Sequence, residues 1–184
     1  MVTPIFLVLI ISGCSSSSDT TLKLATGPQG GSWYPLGGSI KTIIEKHTAN
    51  IRIQVTPGAG IANVKAVEMG KVKLALANSV STVDAIKGNA PFTEKSVNVC
   101  NIATLYPQYF QIVALKKSGI LSISDLQGKV LAGQGPGNTA EVITRQLLKV
   151  NELNYDDLAR VNYGSYTDSV ALMKDGNADI FTLG

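Results

Sequence analysis

The sequence predicts an α/β fold in which a parallel sheet carries helices on both faces. Three features lead there. Short apolar or alternating stretches are each followed by a turn rich in Gly, Pro or Asn, and then by apolar residues at helical spacing. No hairpin turn joins the first three strands, so each must return through its helix by a right-handed crossover. After an interruption around Tyr106 the same order starts again, which predicts a second unit of the same kind.

In the first series, Leu22-Lys23-Leu24-Ala25-Thr26 alternates as a half-buried strand does and runs into Gly27-Pro28-Gln29-Gly30-Gly31-Ser32. Leu36, Ile40, Ile43 and Ile44 then fall on one face of a helix, with Lys41, Glu45 and Lys46 elsewhere. Ile51-Arg52-Ile53-Gln54-Val55 is a second strand; residues 56–60 break it, and 61–69 return to helical spacing until Gly70. Leu74-Ala75-Leu76-Ala77 is a short buried strand, Asn78-Ser79 a polar step, and 81–87 a helix ended by Gly88. From residue 97 the pattern changes. Two apolar runs, 99–105 and 110–115, flank Tyr106-Pro107-Gln108-Tyr109 with no helix between them, as expected where a chain crosses between domains. Cys100, inside the first run, is expected to be a small core residue. The second series comprises a helical turn at 123–126, a strand at 129–133, a helix at 137–150 and a strand at 159–163. A helix at 165–174, stopped by Asp175-Gly176-Asn177, and a strand at 178–183 complete it. A chain that stops inside a strand reads as a shortened form of a larger fold.

The chain begins with thirteen uncharged residues whose apolar run, 5–11, is far too short to span roughly 30 Å of hydrocarbon. It fits the apolar part of an export signal. Ile11-Ser12-Gly13-Cys14 follows, and then the polar stretch Ser15-Ser16-Ser17-Ser18-Asp19-Thr20-Thr21, which resembles a bacterial lipobox with its tether. The resemblance implies cleavage before Cys14 and a lipid on its sulfur; the Lys or Arg usual near such an N-terminus is absent.

Composition excludes several functions. Hydrophobic residues make up 45% and charged residues 16%, ordinary for a globular chain. The net charge of +3 comes from scattered lysines rather than a basic run interleaved with aromatics, so nucleic acid is not an expected partner. His47 is the only histidine and has no Cys or paired carboxylate beside it, so no metal site is expected. Neither glycine-rich turn is followed by Gly-Lys-Ser/Thr, and the spacing of Gly27, Gly30 and Gly31 is not a dinucleotide fingerprint. No cofactor is therefore expected. A Gly-x-Ser-x-Gly elbow and a Cys–His pair are both missing, which points away from an enzyme.

What remains are two strand-to-helix turns. Gln134-Gly135-Pro136-Gly137-Asn138-Thr139 aims backbone N–H groups and the positive end of a helix at whatever lies above it, a natural seat for a carboxylate or phosphate. Asn138 and Thr139 fit two roles equally, as donors to that anion or as caps of the helix. The turn at 27–32 leads into Trp33-Tyr34, and the only tryptophan then lies near the carboxyl edge of the sheet, where open α/β folds hold ligands. The alternative is a core tryptophan with a satisfied indole N–H.

Six blocks in order resemble the TAXI family of receptors for TRAP transporters. They are residues 30–38, from Gly30-Gly31-Ser32-Trp33-Tyr34 to Gly38; Gly60-Ile61-Ala62-Asn63-Val64; Leu74 to Ser79; Leu105-Tyr106-Pro107; Ser122 to Lys129; and Gly135-Pro136-Gly137-Asn138-Thr139. The resemblance implies a two-lobe fold of the type II periplasmic-binding-protein kind, incomplete at the C-terminus, with a ligand in the cleft and hinge closure on binding. The expected parts are a signal peptide at 1–13, a tether at 14–21, a first lobe at 22–107 and a second at 108–184. It also implies capture of a small organic anion, a glutamate-like amino acid or another carboxylate, for a TRAP-type membrane permease. Such a receptor is periplasmic or at the cell surface, held to a membrane through lipidated Cys14. Carried over by position, the ligand would meet Ser32, Trp33 and Tyr34, then Asn78, Ser79 and Tyr106, and from the second lobe Gly137, Asn138 and Thr139. Trp33 stands where many relatives carry another residue, which bears on pocket size.

Overall fold

A computed structural model describes residues 19–184. Residues 1–13, Cys14 and the first part of the expected tether lie outside the described residues. Two sheets organise the rest. The first has the order β2-β1-β3, built from β1 (Thr20–Ala25), β2 (Ile51–Thr56) and β3 (Leu74–Ala75), all parallel. Helices α1 (Trp33–His47), α2 (Gly60–Glu68) and α3 (Ser79–Lys87) follow these strands in turn. The second sheet has the order β4-β7-β5-β6, from β4 (Gln111–Ala114), β5 (Val130–Gly133), β6 (Arg160–Tyr163) and β7 (Ile180–Leu183). Helices α4 (Thr139–Val150) and α5 (Tyr166–Lys174) are its crossovers.

The α/β class and the parallel crossovers agree with the sequence. One strand departs from it, since β4 pairs antiparallel with β7. It arrives from the crossing segment rather than through a helix, so nothing forces it to run with its neighbours. The expected tether is also shorter than 14–21. Thr20 and Thr21 are already ladder residues, paired with Ile51 and Arg52, and the carboxylate of Asp19 lies 3.0 Å from the Arg52 guanidinium.

Alternation along β5 and β7 sends side chains to both faces of the second sheet. Leu131 and Ile180 join Leu126, Leu148 and Leu158 in one apolar cluster, against α4. Ala132 and Phe181 join Met173 and Ala178 in another, against α5. Below the first sheet, Ile61 and Val64 of α2 meet Ala85 of α3 and Phe92, and Val142 of α4 packs against the same cluster. Helix α4 therefore contributes to the cores of both lobes.

Two expectations about burial are corrected. Cys100 is exposed, as are all of residues 101–109, and Val97 and Ile102 are about four-fifths exposed. The run 99–105 joins no described ladder; Val99 alone packs against the cluster of Ile61, Val64, Ala85 and Phe92, and the residues after it are exposed. On α1 only Gly37 is fully buried, while Ile43, expected inward, is 61% exposed. The helix leans on the first sheet at Gly37, where an added Cβ would meet the methyls of Thr26 after β1 and of Val55 in β2, and on β2 through Lys41, which donates to the Ile53 carbonyl at 2.9 Å. The other residues of its apolar stripe, Leu36, Ile40 and Ile44, are half-buried.

Candidate functional site: a cleft at the helix starts

A parallel β–α unit places every helix start at the carboxyl end of its strand, so the two sheets gather their helix starts at facing edges. Between them lies a narrow cleft open to solvent, with about 20 Å³ of enclosed space, room for little more than a water molecule in this arrangement of the lobes. All five described helices reach it. Ser32 and Trp33 come from the start of α1, Gly60 is the first residue of α2, Asn78 precedes α3, Asn138 precedes α4, and Tyr166 opens α5. Gly27, Pro28 and Gly31 line it from the first glycine-rich turn, Gln108 from the crossing segment and Gly184 from the end of β7.

The electrostatics follow from this geometry. No lysine, arginine, histidine, aspartate or glutamate is among the lining residues. Helices α1, α2 and α3 have no side-chain cap hydrogen bond at their N-termini. The positive ends of their dipoles are therefore not neutralised by a local acceptor. One α2 donor is used across the cleft's floor, where the Ala62 N–H donates to the Gly137 carbonyl at 3.0 Å. Helix α4 is capped instead by Asn138, whose Oδ1 accepts from the Ala140 N–H at 2.9 Å, leaving its amide nitrogen to face the cleft as a donor. Asn138 thus caps the helix and also lines the cleft.

The remaining sequence candidates divide. Ser32, Trp33, Asn78 and Asn138 line the cleft. Tyr106 is one hydrogen bond behind it, its hydroxyl 3.2 Å from Ser32 Oγ. Trp33 is half-buried and belongs to none of the three apolar clusters, so its ring is not a core group. Tyr34 and Ser79 are exposed and outside the lining, because each stands one position beyond the residue that faces it. Gly137 and Thr139 also leave the cleft, for a definite reason. Thr139 is 6% exposed and its hydroxyl lies 2.8 Å from Ser81 Oγ on α3, while Gly137, at φ +92°, turns its carbonyl toward α2. Both belong to the seam that joins the lobes.

Three contributors escaped the sequence reading. Gln108 accepts through Oε1 from the Asn78 amide at 2.8 Å, and nothing in an exposed polar segment announces that partner. Tyr166 had a signal, since Ser165 and Asp168 form a capping box that marks a helix start at a strand end, the same geometry that singled out Trp33. Its hydroxyl donates to the Gly184 carbonyl at 2.8 Å, and burial pushes its phenol above the usual tyrosine value. Asn63 lies beneath the cleft, 2% exposed, donating to the carbonyls of Thr26 at 2.6 Å and Leu76 at 2.7 Å while its Oδ1 accepts from the Ala59 N–H at 3.2 Å. It ties together the ends of β1 and β3 and the start of α2. Among the described residues no cluster of His, Cys, Asp and Glu is grouped to hold a metal, and no helix is long and apolar enough to cross a membrane.

Residues 24–184 match the NMT1-like family. The chain belongs to that family. Solved structures of similar fold include a binding component of an ABC phosphonate transporter from Pseudomonas aeruginosa, at 13% identity and a TM-score of 0.60, covering 90% of this chain and 58% of that one. Another is the alkanesulfonate-binding protein SsuA from Xanthomonas axonopodis pv. citri bound to MOPS, at 19% identity and a TM-score of 0.58, covering 90% and 55%. A mutant of the arginine-binding protein ArgBP from T. maritima follows at 16% identity and a TM-score of 0.54, covering 89% and 67%. The NMT1-like chain thus has the mixed α/β, two-lobe fold of type II periplasmic-binding proteins, and it spans little more than half the length of the first two of these structures.

Proposed function

We propose that this NMT1-like chain is the solute-capturing part of a periplasmic receptor, not an enzyme, and that its cleft takes a small organic anion such as a glutamate-like carboxylate. The observation that carries the reading is the convergence of five helix starts on one cleft with no charged side chain in its lining. Backbone N–H groups, the Asn138 amide and the Trp33 indole supply neutral donors there, and a carboxylate is held well by donors at a helix N-terminus. Asn78 and Gln108, already paired with each other, offer one acceptor and one donor to the ligand's remaining polar atoms. The order of sequence blocks resembling TAXI receptors favours a TRAP-type permease as the partner, and the Gly-Cys step at residue 14 favours a lipid anchor. The likeness in fold to the phosphonate and alkanesulfonate proteins favours a second reading, delivery of a different anion to an ATP-driven importer.

Mass spectrometry of small molecules released from the purified chain, followed by calorimetric titration, tests the proposal. A receptor returns an unaltered anion at one per chain, and its binding of L-glutamate is compared with that of an alkanesulfonate and a phosphonate. Turnover of a bound metabolite, or binding only of cations, would refute it. Metabolic labelling with a palmitate analogue tests the anchor, and Cys14→Ser is expected to abolish the label.

A further inference from the structure

The two lobes touch through glycines. A Cβ built on Gly60 would lie 2.3 Å from Thr139 Oγ1 in the other lobe and 2.6 Å from Asn78 Oδ1. One built on Gly31 would stand 3.0 Å from two ring carbons of Tyr166, also across the cleft, and 3.3 Å from the Pro28 carbonyl of its own turn. Both glycines line the cleft. Neither has a positive φ, so alanine suits the backbone at both positions and the obstruction at each includes the opposite lobe. By contrast, a Cβ on Gly38 in the middle of α1 meets nothing within 4 Å.

We propose that Gly31 and Gly60 are the stops that set how closely the lobes shut, and hence the size of ligand the closed cleft admits. A methyl group has no room at Gly60 and asks the Tyr166 ring to give by a few tenths of an ångström at Gly31; because packed interfaces yield little to an inserted atom, the strain at both positions pushes the lobes apart. The two positions lie at opposite ends of the contact. Gly60 meets the start of α4, and Gly31 meets the start of α5. Together they define a seam, with the Ser81–Thr139 hydroxyl pair beside Gly60 as its tightest polar contact. This inference rests on the seam alone and does not depend on which ligand occupies the cleft.

The hydroxyl pair supplies the reporter. In the full chain with Cys14 and Cys100 replaced by Ser, the pair Ser81→Cys and Thr139→Cys places two thiols where a disulfide can form only when the lobes are shut. Oxidation by dilute copper–phenanthroline is followed by gel shift. Gly60→Ala and Gly31→Ala are each expected to slow crosslinking by about tenfold or more, with Gly38→Ala at the rate of the parent. Far-UV circular dichroism and cooperative urea unfolding show whether each variant is folded, and if one of the two fails that check the other decides. Crosslinking at the parental rate in a folded Gly60→Ala or Gly31→Ala chain overturns the proposal. So does a parent pair that does not crosslink, or loss of cooperative unfolding in both variants, which would place the glycines' role in folding instead.

Discussion

Replacing Asn63 with alanine should cost far more than its size suggests. The side chain makes three hydrogen bonds from a position 2% exposed, and each partner is a main-chain group at a strand end or helix start. Truncation leaves the Thr26 and Leu76 carbonyls and the Ala59 N–H without that partner. A buried polar group left unpaired costs about 1–3 kcal/mol. Thr26 sits in the fully buried end of β1 and takes the larger part of this, whereas Leu76 and Ala59 are only half-buried and can recover some of it from water. The sum is about 3–5 kcal/mol, against a typical margin of about 5–15 kcal/mol for a whole domain. Urea unfolding followed by circular dichroism and by the fluorescence of Trp33, the only tryptophan, gives the number directly. The companion Asn63→Asp keeps the size but turns an amide donor into an anion facing two carbonyls, which raises the new carboxyl's pKa in the folded state. Its loss of stability relative to the parent should therefore be smallest below the unfolded carboxylate value of about 3.9 and grow as pH rises through the raised folded value. A loss below about 1 kcal/mol in Asn63→Ala, or an acid-insensitive Asn63→Asp, would show that the three contacts are not what holds the strand ends together.

Asp168 is held below the usual carboxylate range first by the Ser165 hydroxyl and then by the Ser165 N–H, and Asp125 by the Leu121 N–H and then by Ser122. Their folded pKa values are depressed, so their contribution is present above the unfolded value of about 3.9 and lost as pH falls through the folded value; the urea midpoint of Asp168→Asn should vary less with acid than that of the parent. Tyr155 and Tyr166 are both pushed up, first by burial, with the Glu141 carboxylate adding to the effect at Tyr155. Alkaline pH should then destabilise the fold from about pH 10 upward, and ultraviolet titration should show these two phenolates only as unfolding begins; early ionisation of six equivalent tyrosines would contradict this. Gly38→Ala, in open space within α1, should stabilise the chain by about 0.5–1 kcal/mol, read as a higher midpoint in thermal unfolding.

Much of the architecture was legible because each strand and helix announces itself locally. Alternation at 51–55, the glycine-rich turns and the apolar stripe of α4 require no knowledge of the rest of the chain. Burial is different, because it needs a neighbour. Ile43 and residues 100–105 have the composition of buried segments, yet all of them are exposed. Contacts between lobes were equally illegible. Thr139 has the right type and position for an anion donor, but Ser81, fifty-eight residues away, takes its hydroxyl. A helix start identifies where donors are available, and only the packing of the second lobe decides which face a ligand and which face the seam.

The distribution of donors in the cleft bears on how such a site can diverge. Helix-terminal N–H groups belong to every sequence that forms the helix, so their attraction for an anion persists through extensive side-chain replacement. Side chains at the same starts do not persist in this way. Ser32, Trp33, Asn78, Asn138 and Tyr166 bring side chains to the cleft, so on the proposed reading they are the positions at which replacement changes which anion is held. For the NMT1-like chain this division separates two questions that one affinity measurement would merge. On the proposed reading, the preference for an anion rests on the uncapped starts of α1, α2 and α3, whereas ligand size rests on Trp33 and on the closeness of the lobes at Gly31 and Gly60.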